Sequence, residues 1–319
     1  MIVLSEYDVR RLLDMQSCIE AMTEVLASLA RDELFQPLRS VARPPDAPGF
    51  IGLMPAHRGG TAPAYALKEI VVTPDNPARG LDAHQGAVLL HDGETGQLVA
   101  VMNASPVTEI RTAAVSAVAT RALARAGAER VAILGAGVQA RAHVDAMRVV
   151  LDDPEIRIWS RRMEAAEELA GSAGAIVAPS VDSALFGAEV VCTTTSAKEP
   201  IVEHRWLARG AHVNAVGAFG ANRELDSETV ASASLFVDRR ESAFNEGGDY
   251  GFAAAEGAVG PDHIKAELGE VLAGLSPGRE SEDELTVFKS YGIGVEDLAA
   301  AELVVRRARE QGIGSEVEF

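Results

Sequence analysis

The stretch Val131-Ala132-Ile133-Leu134-Gly135-Ala136-Gly137-Val138-Gln139-Ala140 decides how this chain is read. Its four leading apolar residues suit a parallel strand covered on both faces. The next seven, Arg141-Ala142-His143-Val144-Asp145-Ala146-Met147, carry apolar residues at helical spacing. Between strand and helix stands a turn of the G-x-G-x-x-G/A kind. Gly135 takes the tight bend, Gly137 lets the backbone approach a pyrophosphate, and Ala140 is small enough for close helix–strand packing. The helix start, at Val138 and Gln139, offers unpaired N–H groups and a positive dipole to phosphate.

Alternating patterns continue downstream of this turn. Strands are predicted at 130–135, 156–160, 175–178, 190–195, 211–217 and 234–238, with helices at 139–151, 162–171, near 181–187 and near 226–231. This is the pattern of a Rossmann fold, a doubly wound parallel sheet in the α/β class. Upstream the order differs. A helical stripe over 14–31 is followed by apolar runs at Gln36-Pro37-Leu38-Arg39-Ser40-Val41, Phe50–Pro55, Tyr65–Val72, Ala87–His91 and Gln97–Met102. Successive strands without intervening helices predict an antiparallel sheet, hence a separate α+β unit. A helix from Thr108 to about Arg125 leads into the nucleotide unit, and a final helix over 295–311, stopped by Gly312, is placed back on the first unit. The domains expected are therefore 1–116 with 296–319, for substrate and dimerisation, and 117–295, for the dinucleotide.

The 319 residues, 47% hydrophobic, can bury a large core, and the formal net charge of −18 argues against a nucleic-acid or anionic-membrane surface. Cys18 and Cys192 lie far apart with no metal-ligand spacing, so neither a disulfide framework nor a metal site is expected. No apolar run reaches the length of a membrane span, and no charged leader precedes an apolar core. The expectation is a cytoplasmic protein.

The second strand of such a unit ends in a carboxylate when the ribose 2′-hydroxyl of NAD is to be held. Here Ile156-Arg157-Ile158-Trp159 runs into Ser160-Arg161-Arg162. A hydroxyl and guanidinium groups suit a 2′-phosphate, which favours NADP(H) while leaving NAD(H) open. Thr193, Thr194 and Thr195 end a later strand at the edge where open sheets bind ligands; they either line the nicotinamide ribose or satisfy local backbone groups.

Taken together, Thr108-Glu109-Ile110-Arg111-Thr112-Ala113-Ala114-Val115-Ser116, the glycine turn and Thr286-Val287-Phe288-Lys289-Ser290-Tyr291-Gly292 resemble the ornithine cyclodeaminase and mu-crystallin family. Ala83-His84-Gln85 and Arg240-Glu241-Ser242-Ala243 before Glu246-Gly247-Gly248-Asp249 are similar to it as well. The resemblance spans nearly the whole chain. It implies a homodimer, with the discontinuous first domain supplying substrate pocket and subunit contact, and hydride chemistry on α-amino or α-imino acids. It also implies that Arg39, Lys68 and Arg111 hold the substrate carboxylate, and that Thr112, Val216, Gly217, Ala218, Lys289, Ser290 and Gly292 join the cofactor residues. Lys68 in an apolar strand and Arg111 in an alanine-rich helix each need an anion if buried, either substrate or an internal Asp or Glu. Arg43 rivals Arg39. On this basis Arg111→Ala is expected to raise KM steeply without unfolding the protein.

Two departures redirect the function. Cyclodeaminases of the family carry an aspartate where this chain has Phe219, which cannot transfer a proton, and the loop 219–225 looks one residue short. They also tend to carry an acid in place of Gly52. Both missing carboxylates argue against a diamino acid substrate. The expected activity is NAD(P)H-dependent reduction of the C=N bond of a small anionic α-imino acid such as pyrroline-2-carboxylate or piperideine-2-carboxylate, giving proline or pipecolate. Lys68 is the first candidate proton donor and His84 the second. The alternatives are an alanine- or opine-type amino-acid dehydrogenase, an ornithine or lysine cyclodeaminase, and a crystallin-like binding protein without turnover.

Overall fold

The computed structural model describes residues 1–218 and 220–318. In it the chain forms two units, one of Met1–Arg111 together with the segment from Gly292, the other of Thr112–Tyr291. The first begins with β1 (Ile2–Leu4) and α1 (Glu6–Leu12). A capping box fixes the start of α1: Asp8 N donates to the Ser5 hydroxyl and Ser5 N to the Asp8 carboxylate. In α2 (Met15–Ala30), Cys18, Ile19, Met22, Val25, Leu26 and Leu29 form the buried stripe.

Then come β2 (Leu34–Phe35), β3 (Ser40–Ala42), β4 (Phe50–Arg58), β5 (Ala64–Val72), β6 (His84–Asp92) and β7 (Leu98–Asn103). The strand expected over 36–41 is thus confined to its last two residues, because Pro37 has no N–H for a ladder. Arg39 sits in the connector. The long helix α3 (Ala104–Leu123) starts earlier than its apolar spacing suggests, at Asn103, whose side-chain oxygen accepts from Ser105 N. Within α3 the chain passes from the first unit to the second, five residues before the boundary expected at 116/117.

The second unit contains β8 (Arg130–Leu134), α4 (Val138–Val150), β9 (Glu155–Trp159), α5 (Met163–Ala173), β10 (Ile176–Val177) and α6 (Val181–Leu185). It continues through β11 (Val190–Thr193), β12 (His212–Ala215), α7 (Ser227–Ser232), β13 (Ser234–Val237), α8 (Arg240–Asn245) and α9 (Gly248–Ala255). It ends with β14 (Ile264–Glu267), α10 (Leu268–Leu272) and β15 (Thr286–Lys289). The sheet is parallel, in the order β10-β9-β8-β11-β12-β15-β13-β14. Its strand order reverses between β8 and β11, and β15 enters the middle although it comes last in the chain. Ala132, Leu134, Val191, Val213 and Val287 are all fully buried in its core.

The chain then re-enters the first unit as α11 (Gly294–Gln311) and β16 (Ser315–Glu316). The sheet there runs β16-β1-β7-β6-β5-β4-β2, with β3 also on β4. It is mixed rather than purely antiparallel, because β1 joins β7 in parallel. α11 buries Leu298, Ala301, Leu303, Val304 and Val305 and packs on α2, β4 and β5. At about 1.5–3 kcal/mol per large apolar side chain this helix is a main stabiliser of its unit. No helix among the described residues is long and apolar enough to cross a membrane.

Candidate active site

In the first unit a group of charges lies between β5 and the start of α11. Lys68 is 1% exposed and is paired across the sheet with Met54 and Val88, both buried and apolar. Its ammonium lies 2.9 Å from each oxygen of Asp297. Arg111, 5% exposed, donates from Nη1 to Glu296 at 2.8 Å and from Nε to Asp297 at 3.2 Å. Both carboxylates are fully buried in the first turn of α11, where the helix dipole favours negative charge. Arg39 joins them, half-buried, its Nη2 donating to the Gly292 carbonyl at 2.7 Å. Its rival Arg43 instead lies over the Phe50 ring, 4.6 Å from the centroid.

Burial lowers the Lys68 pKa to about 8, against the Asp297 charge that raises it; Arg111 adds to the lowering. The group can therefore exchange a proton near neutrality. His84 begins β6 on the same sheet face, by its register with Val72. Crowding of its ring, and then the Lys68 charge, hold its pKa below the ordinary value although solvent still reaches it. Gly52 lies on this face too; a Cβ there would meet only Ile70 Cγ1, at an ordinary 3.6 Å. Phe219, the other departure from the cyclodeaminase pattern, lies outside the described residues.

In the second unit Gly135 has φ +131°, and a Cβ on it would meet Thr194 Oγ1 at 2.4 Å, so glycine is required. Gly137 caps α4 without a side-chain acceptor, and the direction of its missing Cβ is open. Half-exposed Val138 flanks the opening, whereas Ala140 is fully buried. An open glycine cradle at an uncapped helix start fits the pyrophosphate of a dinucleotide. Ser160 follows β9, with Arg161 and Arg162 exposed beside it; Arg162 N donates to Ser160 Oγ at 3.3 Å. Among the described residues neither arginine has an ion pair.

The threonines are engaged internally. Thr193 Oγ1 and Thr195 Oγ1 donate to Glu224, and Thr194 Oγ1 to the Leu134 carbonyl. Of the three, Thr194 bonds a backbone group, while Thr193 and Thr195 bond a carboxylate distant in sequence. Gly217 N also donates to Glu224, between Val216 and buried Ala218. Thr112 is buried near the start of this unit. Lys289 and Ser290 are buried as well, and Lys289 Nζ donates to the Ala215 and Ser290 carbonyls. Gly292, expected with the cofactor residues, belongs to the first unit. There it has φ +73°, and a Cβ would press on Arg111 Nη1 at 2.6 Å. Glu224, Asp249, Glu296 and Asp297 escape a reading from sequence. Acids at the start of α11 look like ordinary solvated dipole partners, and only the tertiary fold buries them.

An uncapped glycine turn on a doubly wound parallel sheet, with a buried cationic cluster in an α+β unit, defines a dinucleotide-binding protein equipped to hold a small anion. The chain belongs to the ornithine cyclodeaminase/mu-crystallin family, whose model matches residues 1–312. It is 42% identical to the ketimine reductase mu-crystallin of Mus musculus over 85% of this chain and 84% of that protein. Among solved structures it is similar to Thermococcus litoralis Delta(1)-pyrroline-2-carboxylate reductase in complex with NADH and L-proline. That likeness has a TM-score of 0.92 and 34% identity, over 99% of this chain and 100% of that one. An archaeal alanine dehydrogenase dimer with bound NAD has a TM-score of 0.94 and 31% identity, over 100% of this chain and 99% of that one.

Proposed function

We propose that this protein is an NAD(P)H-dependent reductase of the C=N bond of small α-imino acids, with cyclic ketimines such as pyrroline-2-carboxylate and piperideine-2-carboxylate as substrates. The observation that carries the reading is the cluster of buried Lys68 and Arg111 with half-buried Arg39, in which burial pulls the lysine pKa down to about 8. Arg111 and Arg39 hold the substrate carboxylate, and Lys68 orients it and holds the proton destined for the imine nitrogen. Glu296 and Asp297 keep these cations folded inside the protein until a substrate arrives. A bound reduced nicotinamide supplies the hydride to the imine carbon. In the product that carbon carries the new C–H bond and the nitrogen the new N–H bond.

The test is oxidation of NADH and NADPH with pyrroline-2-carboxylate, piperideine-2-carboxylate, and pyruvate plus ammonia or methylamine. Silence on all of them sinks the reading. Turnover with pyruvate and ammonia alone would support an alanine dehydrogenase, the second reading, which the likeness to the archaeal enzyme favours. Ser160, Arg161 and Arg162 support NADP(H): no carboxylate ends β9, and two unpaired guanidinium groups follow it. Arg161→Ala is expected to raise KM for NADPH by roughly tenfold, one charge-assisted hydrogen bond, and to leave NADH unchanged. Equal effects on both cofactors would refute the assignment.

Lys68 must be protonated to act, so kcat/KM for imine reduction should fall as pH rises past about 8. Asp297→Asn removes the charge that holds the ammonium form, and the inflection should move to lower pH. An inflection unmoved by that change would belong to the substrate.

The first unit is proposed as the dimer contact. The sheet face opposite Lys68 carries exposed Val3, Tyr65 and Val71, and Leu67, Leu89 and Val101 lie beside them in register. Sedimentation at monomer mass would rule this out.

A further inference from the structure

Glu224 is fully buried, and the proposed reaction does not use it. Its Oε1 accepts from Thr195 N at 2.6 Å and Thr195 Oγ1 at 2.7 Å. Its Oε2 accepts from Thr193 Oγ1 and Gly217 N, both at 2.8 Å. These donors lie at or just past the C-terminal ends of β11 and β12, which are neighbours in the sheet. One carboxylate therefore ties two adjacent strand ends together where their ladder stops. The connectors are in backbone contact, since a Cβ on Gly217 would fall 2.0 Å from the Thr195 carbonyl oxygen. Glu224 is itself held: its N–H and that of Leu225 donate to Asp249 Oδ1 at 2.7 and 2.9 Å, and Lys289 Nζ stands 3.8 Å from Asp249 Oδ2.

In a doubly wound sheet the two halves of a dinucleotide lie on either side of the point where strand order reverses. Here that point falls between β8 and β11. Ser160–Arg162, after β9, lie on one side, and the clamped ends of β11 and β12 lie on the other. The geometry points to Glu224 as a positioning residue that shapes the nicotinamide half of the cofactor site, acting through Thr193, Thr195 and Gly217. This rests on the nicotinamide-cofactor reading above. The carboxylate form is needed because each oxygen faces a backbone N–H. In Glu224→Gln one of those N–H groups confronts an amide NH2, and one strand end is released.

The test compares whole and half cofactors by calorimetry on the full-length protein. Wild type is titrated with NADPH and NADH, and with 2′-phospho-ADP-ribose and ADP-ribose, which lack the nicotinamide. Glu224→Gln should raise Kd for the dinucleotides by roughly tenfold, the worth of a hydrogen bond to a charged group, and leave the two fragments within about twofold. Thr193→Val, which deletes one hydroxyl donor at nearly constant volume, should show the same split between whole and half cofactors with a smaller factor. Equal weakening of whole and half cofactors, or no weakening of either, overturns the role of Glu224 alone. Wild-type protein that binds none of the four overturns the nicotinamide reading and this one with it.

Discussion

Arg111→Ala is expected to lose about 3–5 kcal/mol of folding stability as well as its affinity for substrate, because the change removes a guanidinium that faces two buried carboxylates in the first unit. Glu296 and Asp297 are 0% exposed; without Arg111 each loses a guanidinium contact, while Lys68 still faces Asp297. The sequence alone leads to the expectation of a steeply raised KM in a protein that still folds. The buried partners add a cost in stability to it. The catalytic effect remains large: a charge-assisted contact to the substrate carboxylate is worth about 1.5–3 kcal/mol, or roughly ten- to more than a hundredfold in KM. Urea unfolding and substrate saturation separate the two effects. Arg111→Met combined with Glu296→Gln removes a buried charge of each sign; it should recover much of the stability and none of the KM. A double variant that recovered KM would show that Arg111 serves folding alone.

Acid is expected to weaken the second unit sharply, through two buried histidines. His143 donates from Nδ1 to the Gln139 carbonyl and meets Ser116 Oγ at Nε2, while His212 sits between Thr286 Oγ1 and Asn214. Burial lowers their pKa values to about 4 and about 3, from an ordinary 6.5. Between those values and 6.5 the unfolded chain binds more protons than the folded one, so stability rises with pH and is lost as pH falls. The loss begins near pH 6.5 and amounts to roughly 3 kcal/mol for His143 and 5 kcal/mol for His212 once pH has passed below their folded values. Urea midpoints at pH 7, 5.5 and 4.5 measure it. His212→Gln should show a shallower decline than wild type over that range; an identical slope would place the acid sensitivity in carboxylates instead.

What the sequence revealed depended on how local the cause was. The glycine turn is readable because Gly135 answers to a backbone dihedral and Gly137 to an approach direction, both settled within a few residues. β8, β11 and β13 announce themselves as apolar runs, since a strand buried on both faces has no polar alternative, and β9 shows itself by alternation, Ile156 and Ile158 inward. β15 does not: it is four residues long, begins with Thr286 and ends with Lys289, and its place between β12 and β13 comes from distant pairing. β1 is three residues long and shows no period. The cationic half of the site was legible because Lys68 and Arg111 stand out in apolar surroundings. Its anionic half was hidden, because Glu296 and Asp297 look the same in a solvated first turn as in a buried one.

The pairing in the first unit also has an arithmetic. Lys68, Arg111 and Arg39 bring an odd number of positive charges to the even number of negative ones from Glu296 and Asp297. A single carboxylate restores parity. In the proposed reaction that parity matches a substrate which presents one carboxylate to this cluster.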